Sequence, residues 1–293
     1  MSIYDISGNN LLNAYSLHGT PLEAAYNYNG AQVFPDHDYD ITIMSYNVGS
    51  FYSEASPAPI ALSEVFYNRN NNIFLECNAQ IAGLTEYYKY IGYFNSQELI
   101  NNFFPFSYID FIPYRSGIHG FCTCLYTYGK SENIVQYTAV GNEKRYYKKT
   151  YIKYRNKNIC VALTHLDLNF SIRSAQILEL LTTLEDEEYF IAIGDFNFTI
   201  VNVGDEQYNA SIQEILNRGF NSAQNDNGIL YTHYNGTTVE NTTNKYALDN
   251  IFTSSNITIK NVRVNTLKLT DGLCEQYNII IDHLPLLADI EIH

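Results

Sequence analysis

From Ile41 onward the apolar positions of the chain switch repeatedly between two periods. Runs such as DITIMSYNV (residues 40–48), AQIAGLTEY (79–87), NICVALTHLDL (158–168) and EYFIAIGD (188–195) are short and alternating or apolar on both faces, which predicts buried strands. APIALSEVFYNRN (58–70) and SIRSAQILELLTTLE (171–185) repeat their apolar residues at three- and four-residue steps and predict helices, the second with Ser171 as N-cap. EQYNASIQEILNRG (206–219) predicts a further helix ended by Gly219. GIHGFCTCLYTY (117–128), NIVQYTAVG (133–141) and KKTYIKY (148–154) read as strands joined by turns. ALDNIFTS (247–254), NITIKNVRVN (256–265) and PLLADIEI (285–292) complete the set. Such a mixture predicts one α/β sandwich with mixed sheets over residues 41–293.

The first 34 residues have a different period. YDISGNNLLNA (4–14), YSLHGTPLEAA (15–25) and YNYNGAQVF (26–34) align without gaps, so Tyr, Gly and Leu or Val recur every 11 residues. Each Gly follows Ser7, His18 or Asn29, as in tight turns that need a positive φ. Three strand–turn units bury one face only by stacking or docking, which predicts an attachment or oligomerisation module. PDHDYD (35–40) reads as its linker. The repeat resembles short Tyr/Gly repeats that precede hydrolase domains in some prophage proteins, which implies association with a virion or other assembly. Deleting residues 1–34 is expected to spare catalysis and to alter assembly; size-exclusion chromatography beside an activity assay separates the two.

Composition narrows the function. A hydrophobic content of 46% with 16% charged residues describes a folded chain. The net charge of −14 repels phosphate polymers as a whole and argues against a passive nucleic-acid coat, though not against an enzyme that touches one phosphate. Seven of the 17 basic residues crowd into EKRYYKKTYIKYRNK (143–157), interleaved with tyrosines. Read as a strand, this segment places Lys149, Tyr151, Lys153 and Arg155 on one face. It is either a solvated edge strand or a patch for an anionic substrate with bases to stack. The five cysteines show neither zinc spacing nor a disulfide framework, which predicts free buried thiols. No signal-peptide pattern and no apolar run of membrane-spanning length are present, so synthesis in the cytoplasm and a soluble chain are expected.

Six strand-like runs end in polar groups: Asn47, Glu86, His165, the pair Asp195 and Asn197, Asp249, and the pair Asp282 and His283. Any one alone is more often structural; Asp195 and Asn197, for instance, suit an Asx turn. Six together form a constellation at the place where α/β sheets bind ligands. Glu86, Asp282 and the oxygen of Asn47 make a hard donor set for Mg²⁺ or Mn²⁺. Two histidines and a spare carboxylate supply a general base, a general acid and an orienting partner. The set describes hydrolysis of a phosphate ester by water with metal assistance.

IMSYNV, LTEY, THLD, IGDFN, LDNIF and IDHLPL, in this order, resemble the endonuclease/exonuclease/phosphatase superfamily typified by deoxyribonuclease I, over residues 40–293. The resemblance implies a four-layered α/β sandwich with two central mixed sheets. It also implies roles: Glu86 as principal metal ligand with Asn47 and Asp282, Asp195 orienting the attacking water, and Asn197 on the scissile phosphate. His283 becomes the base held in its tautomer by Asp249, and His165 stabilises charge or donates a proton. His119, Arg145 or Lys148 are candidates for a further phosphate contact. Thr85 stands where the family has Gln, and Ile281 where it has Ser or Thr; neither change removes an assigned group. The expected activity is a Mg²⁺- or Mn²⁺-dependent phosphodiesterase, first of all an endonuclease on DNA. The alternatives are a phospholipid, phosphoinositide or other small phosphoester hydrolase, or a non-catalytic adhesion domain.

Overall fold

The computed structural model describes residues 25–26, 32–33, 39–49, 60–91, 94–114, 117–198, 213–224, 230–235, 244–265 and 283–293. In chain order, β1 (Ala25–Tyr26) and β2 (Gln32–Val33) precede β3 (Ile41–Asn47), helix α1 (Ile60–Cys77) and β4 (Ile81–Tyr87). The short β5 (Tyr90–Ile91) and β6 (Phe94–Asn95) lead into α2 (Ser96–Asn101), then β7 (Phe106–Tyr114), β8 (Gly117–Leu125), β9 (Gly129–Ser131) and β10 (Val135–Gln136). There follow β11 (Tyr146–Tyr154), β12 (Lys157–His165), α3 (Phe170–Leu184) and β13 (Phe190–Asp195). The chain closes with β14 (Asn221–Ser222), β15 (His233–Asn235), β16 (Asn244–Tyr246), β17 (Asp249–Thr253), β18 (Ile257–Val264) and β19 (Leu286–Ile292).

Two mixed sheets form the centre. One has the order β18-β19-β3-β4-β8-β7; the other runs β10-β11-β12-β13-β17-β14, with β9 also paired to β11. Alternation along each strand sorts its side chains into two cores. In β13, Phe190 and Ala192 pack with Leu180, Leu181 and Leu184 of α3, whereas Ile191 and Ile193 face the other sheet. In β3, Met44 and Tyr46 pack with Ile73 and Phe74 of α1, and Ile41 and Ile43 enter the core between the sheets. Apolar residues on both faces of these strands therefore mean helix on one side and sheet on the other, which is the expected four-layered α/β sandwich.

Register sets the site. Parallel pairing places His165 beside Asp195, and antiparallel pairing places Asp195 beside Asp249, so three polar residues form one row across β12, β13 and β17. Each shares strand parity with residues of the inter-sheet core, so all three face the opposite sheet. On that sheet Asn47 ends β3 beside Thr85 of β4. Gly194 makes the row possible, because a Cβ there would lie 2.0 Å from the Thr164 carbonyl oxygen.

Several local expectations are revised. The N-cap of α3 is Asn169, not Ser171: its Oδ1 accepts the N–H groups of Ser171 and Ile172 at 3.0 and 3.3 Å. Helix α1 extends to Cys77. Of NIVQYTAVG only Val135–Gln136 is strand, because Tyr137 turns its hydroxyl to Thr164 and Thr138 bonds Glu179 instead of a ladder partner. Strand β7 and helix α2 carried no periodic signal; α2 has six residues, too few to show one. The four described cysteines, Cys77, Cys122, Cys124 and Cys160, are free and buried, as expected. Of the N-terminal repeat only β1 and β2, an antiparallel pair, fall among the described residues. Among the described residues no helix is long and apolar enough to cross a membrane.

Candidate active site

One carboxylate oxygen is the focus. Asp195 Oδ2 accepts the amide of Asn47 at 3.0 Å and lies 3.5 Å from His165 Nε2 and 3.7 Å from His283 Nε2. Its other oxygen accepts the Asn197 backbone N–H at 2.9 Å, an Asx turn. The turn and the site are thus one structure. Burial alone would push the Asp195 carboxyl up; His165, His283, Asn47 and the Asn197 N–H outweigh it and hold it below its ordinary range.

His283 Nδ1 lies 2.9 Å from Asp249 Oδ2, with Asp249 fully buried. A carboxylate at that distance accepts a proton from Nδ1, which leaves Nε2 as the basic nitrogen, on the Asp195 side. Burial raises the Asp249 carboxyl, against the pull of His283. Asp195, Asp249 and His283 also offer donor atoms within 4.8 Å of one another, a geometry able to hold a metal ion.

Glu86 reaches this centre from the opposite sheet through a bulge. Leu84 pairs with Cys122 but Tyr87 with Gly120, so β4 carries one extra residue there, and Glu86 adopts φ +52°. Strict alternation would send Glu86 to the helix side; the left-handed turn brings its Oε1 to 3.1 Å from the Asn47 amide. Strained φ values at non-glycine residues cluster at functional sites, and Asn197 is a second one, at φ +51°. Asn47 thereby bridges two carboxylates, while its own oxygen accepts the Gly49 N–H at 2.9 Å. It turns its nitrogen, not its oxygen, toward the acids. Two hard acid groups held together by one neutral amide fit a hard divalent cation by donor chemistry. Asp282 lies outside the described residues, so the third expected ligand has no described position.

Asn47, Glu86, His165, Asp195, Asn197, Asp249 and His283 thus converge. The basic residues do not join them as a patch. Arg145 is buried against Glu143 at 3.2 Å, and Lys148 is buried against Asp110 beside the Tyr108 ring. Lys149 and Tyr151 share a face as expected but share Glu187 as well, at 2.9 and 2.7 Å. The strand ends at Tyr154, so Arg155 leaves that face in a turn and pairs with Asp40 at 2.8 Å. Nor is β11 an edge, since β9 and β10 cover it. The side chain of His119 lies outside the described residues. Lys148→Met is expected to lower stability on the order of 2 kcal/mol, because Asp110 is left uncompensated but 27% exposed, with KM little changed. Urea denaturation and steady-state kinetics on the same preparation check this.

Thr232 and His233 were not legible in the sequence. They lie in a segment without periodicity, and their contacts to Asp249 and His283 are remote along the chain.

No protein-family model and no curated protein matches the sequence. Solved structures do match in fold. An endonuclease/exonuclease/phosphatase from Beutenbergia cavernae superposes with TM-score 0.62 at 13% identity, covering 87% of this chain and 72% of that one. A Bacteroides thetaiotaomicron mannosyl-6-phosphatase gives TM-score 0.60 at 13% identity over 86% and 99%. The catalytic domain of human Nocturnin, with a bound sulfate anion, gives 0.56 at 20% over 88% and 95%. The chain therefore has the deoxyribonuclease I-like fold of the endonuclease/exonuclease/phosphatase superfamily.

Proposed function

We propose that this protein hydrolyses a phosphoester bond with water, assisted by a divalent metal. The observation that carries this reading is the unbroken line Asp249–His283–Asp195–His165, with contacts of 2.9, 3.7 and 3.5 Å, facing Glu86 and Asn47 on the other sheet. Water placed between His283 Nε2 and Asp195 loses a proton to the imidazole as its oxygen forms the new bond to phosphorus. Asp249 accepts the Nδ1 hydrogen throughout and stabilises the imidazolium. His165, on the other side of Asp195, faces the departing oxygen and supplies a proton as the P–O bond breaks. Asn197, its amide held in place by the Leu166 carbonyl at 2.8 Å, is the residue for contact with a phosphoryl oxygen. Glu86, braced by Asn47, and Asp282, by the family resemblance, are the residues that would hold Mg²⁺ or Mn²⁺, which would neutralise charge on the phosphoryl group.

DNA is the substrate that the sequence favours, through its basic, tyrosine-rich segment. Pairing of Arg145, Lys148, Lys149 and Arg155 with acids of the same chain supports a second reading, a small phosphoester that needs no track of cations along a polymer. One fold relative is named as a mannosyl-6-phosphatase. Purified protein incubated with supercoiled plasmid, bis(p-nitrophenyl) phosphate and p-nitrophenyl phosphate, under Mg²⁺, Mn²⁺ or EDTA, separates these readings. Plasmid nicking supports the nuclease, and release of nitrophenol without nicking supports the small ester. No turnover of any phosphoester in a wider panel with either metal would sink both. EDTA is expected to abolish activity. Glu86→Gln is expected to raise the metal concentration for half-maximal rate roughly 10- to 100-fold, as read by metal titration.

A further inference from the structure

The Asp249–His283 dyad has a neighbour that the proposed reaction does not use. Thr232 is fully buried, and its hydroxyl oxygen accepts the N–H groups of Leu248 and Asp249 at 3.2 and 3.1 Å. Its carbonyl accepts the Leu284 N–H at 2.7 Å, and its own N–H donates to the Tyr246 carbonyl at 3.0 Å. One residue thereby ties the start of β17 to the position directly after His283. The next residue, His233, forms an isolated antiparallel bridge with His283 and lays its ring edge-on against it, with centroids 4.8 Å apart at 76°. Tyr246 backs the His233 ring at 5.6 Å.

The geometry calls for such a device. Asp249 belongs to a sheet strand, whereas His283 is a lone bridge residue whose ring can rotate about two torsions. A 2.9 Å contact between them demands a fixed distance between two backbones and a fixed ring plane. Thr232 sets the first, because both backbones hydrogen-bond to it. His233 sets the second, because an edge-on ring leaves its neighbour few orientations. We infer that the Thr232–His233 dipeptide is the positioning element of the Asp249–His283 dyad, holding the imidazole with Nδ1 on Asp249 and Nε2 toward the reacting water. Its consequence for turnover rests on the reaction proposed above; its effect on the His283 ring does not.

Four variants of the full chain test it. Thr232→Val removes the acceptor at near-constant volume and Thr232→Ser restores it; His233→Ala removes the ring and His233→Phe restores its shape. Long-range ¹H–¹⁵N spectra of histidine-labelled protein report the His283 tautomer without need of any substrate. The expected result is a single Nδ1–H tautomer in the wild type, Thr232→Ser and His233→Phe, and a mixture in Thr232→Val and His233→Ala. With bis(p-nitrophenyl) phosphate and Mn²⁺, the two disruptive variants should lose roughly 10- to 100-fold in kcat with KM nearly unchanged, and the two conservative ones should recover most of it. An unchanged tautomer in both disruptive variants would overturn the inference whatever the kinetics. So would a loss in His233→Phe equal to that in His233→Ala, since it would assign the effect to the ring nitrogens and not to packing. If Thr232→Val does not fold, the His233 pair decides the matter. A wild-type protein inactive on every phosphoester would overturn the reaction, while the tautomer spectra would still decide the positioning role.

Discussion

His283→Ala is expected to lower kcat by roughly 10²- to 10⁴-fold, the usual contribution of a positioned general base. Among the described residues His283 Nε2 is one of two imidazole nitrogens within 3.7 Å of Asp195 Oδ2, and the one whose ring has a carboxylate behind it. Removing it deprives the water of its proton acceptor and the buried Asp249 carboxylate of its imidazole donor. Asp249, already pushed up by burial, should then take up a proton, so some stability is lost as well. Single-turnover kinetics beside thermal unfolding separate the two effects: a fall in Tm alone would not slow the chemistry of protein that remains folded. His165→Ala should fall in the same range, and the double variant should lose far less than the product of the two, because the residues act as one unit. Turnover within tenfold of wild type in both single variants would sink the mechanism.

Gly194→Ala is expected to destabilise the fold by about 3 kcal/mol or more, the upper end for overpacking combined with backbone strain. Gly194 has φ +154°, and the added Cβ would meet the Thr164 carbonyl oxygen at 2.0 Å. That atom is backbone of the neighbouring parallel strand, so relief requires β12 and β13 to separate, which pulls His165 away from Asp195. Gly219 is the control. Its φ of +76° strains an alanine, but nothing lies within 4 Å of the new Cβ, so Gly219→Ala should cost only about 1 kcal/mol. Urea unfolding of both variants gives the comparison, and equal losses would show that the strand approach at Gly194 is not the controlling contact.

Much of the candidate site was visible before the fold, for a local reason. His165, Asp195 and Asn197 close apolar runs and Asp249 opens one, and the limit of a run is a property of neighbouring residues. Strands β3, β4, β12, β13 and β17 were legible in the same way, since side-chain period is set by backbone geometry within a few residues. The reach of Glu86 was not, because it depends on an extra residue in β4 counted against β8, which is remote along the chain. The pairing within the basic segment was hidden for a similar reason: seven cations within 15 residues allow a patch until Asp110, Glu143, Glu187 and Asp40 come to meet four of them. Three of those acids, Asp110, Glu187 and Asp40, arrive from distant segments. Thr232 and His233 carried no pattern at all, since their importance is where they stand relative to Asp249 and His283. Periodicity and chemical type are encoded locally and can be read residue by residue; register, charge pairing and the orientation of an imidazole arise from contacts between remote segments, and only the packed chain brings these together.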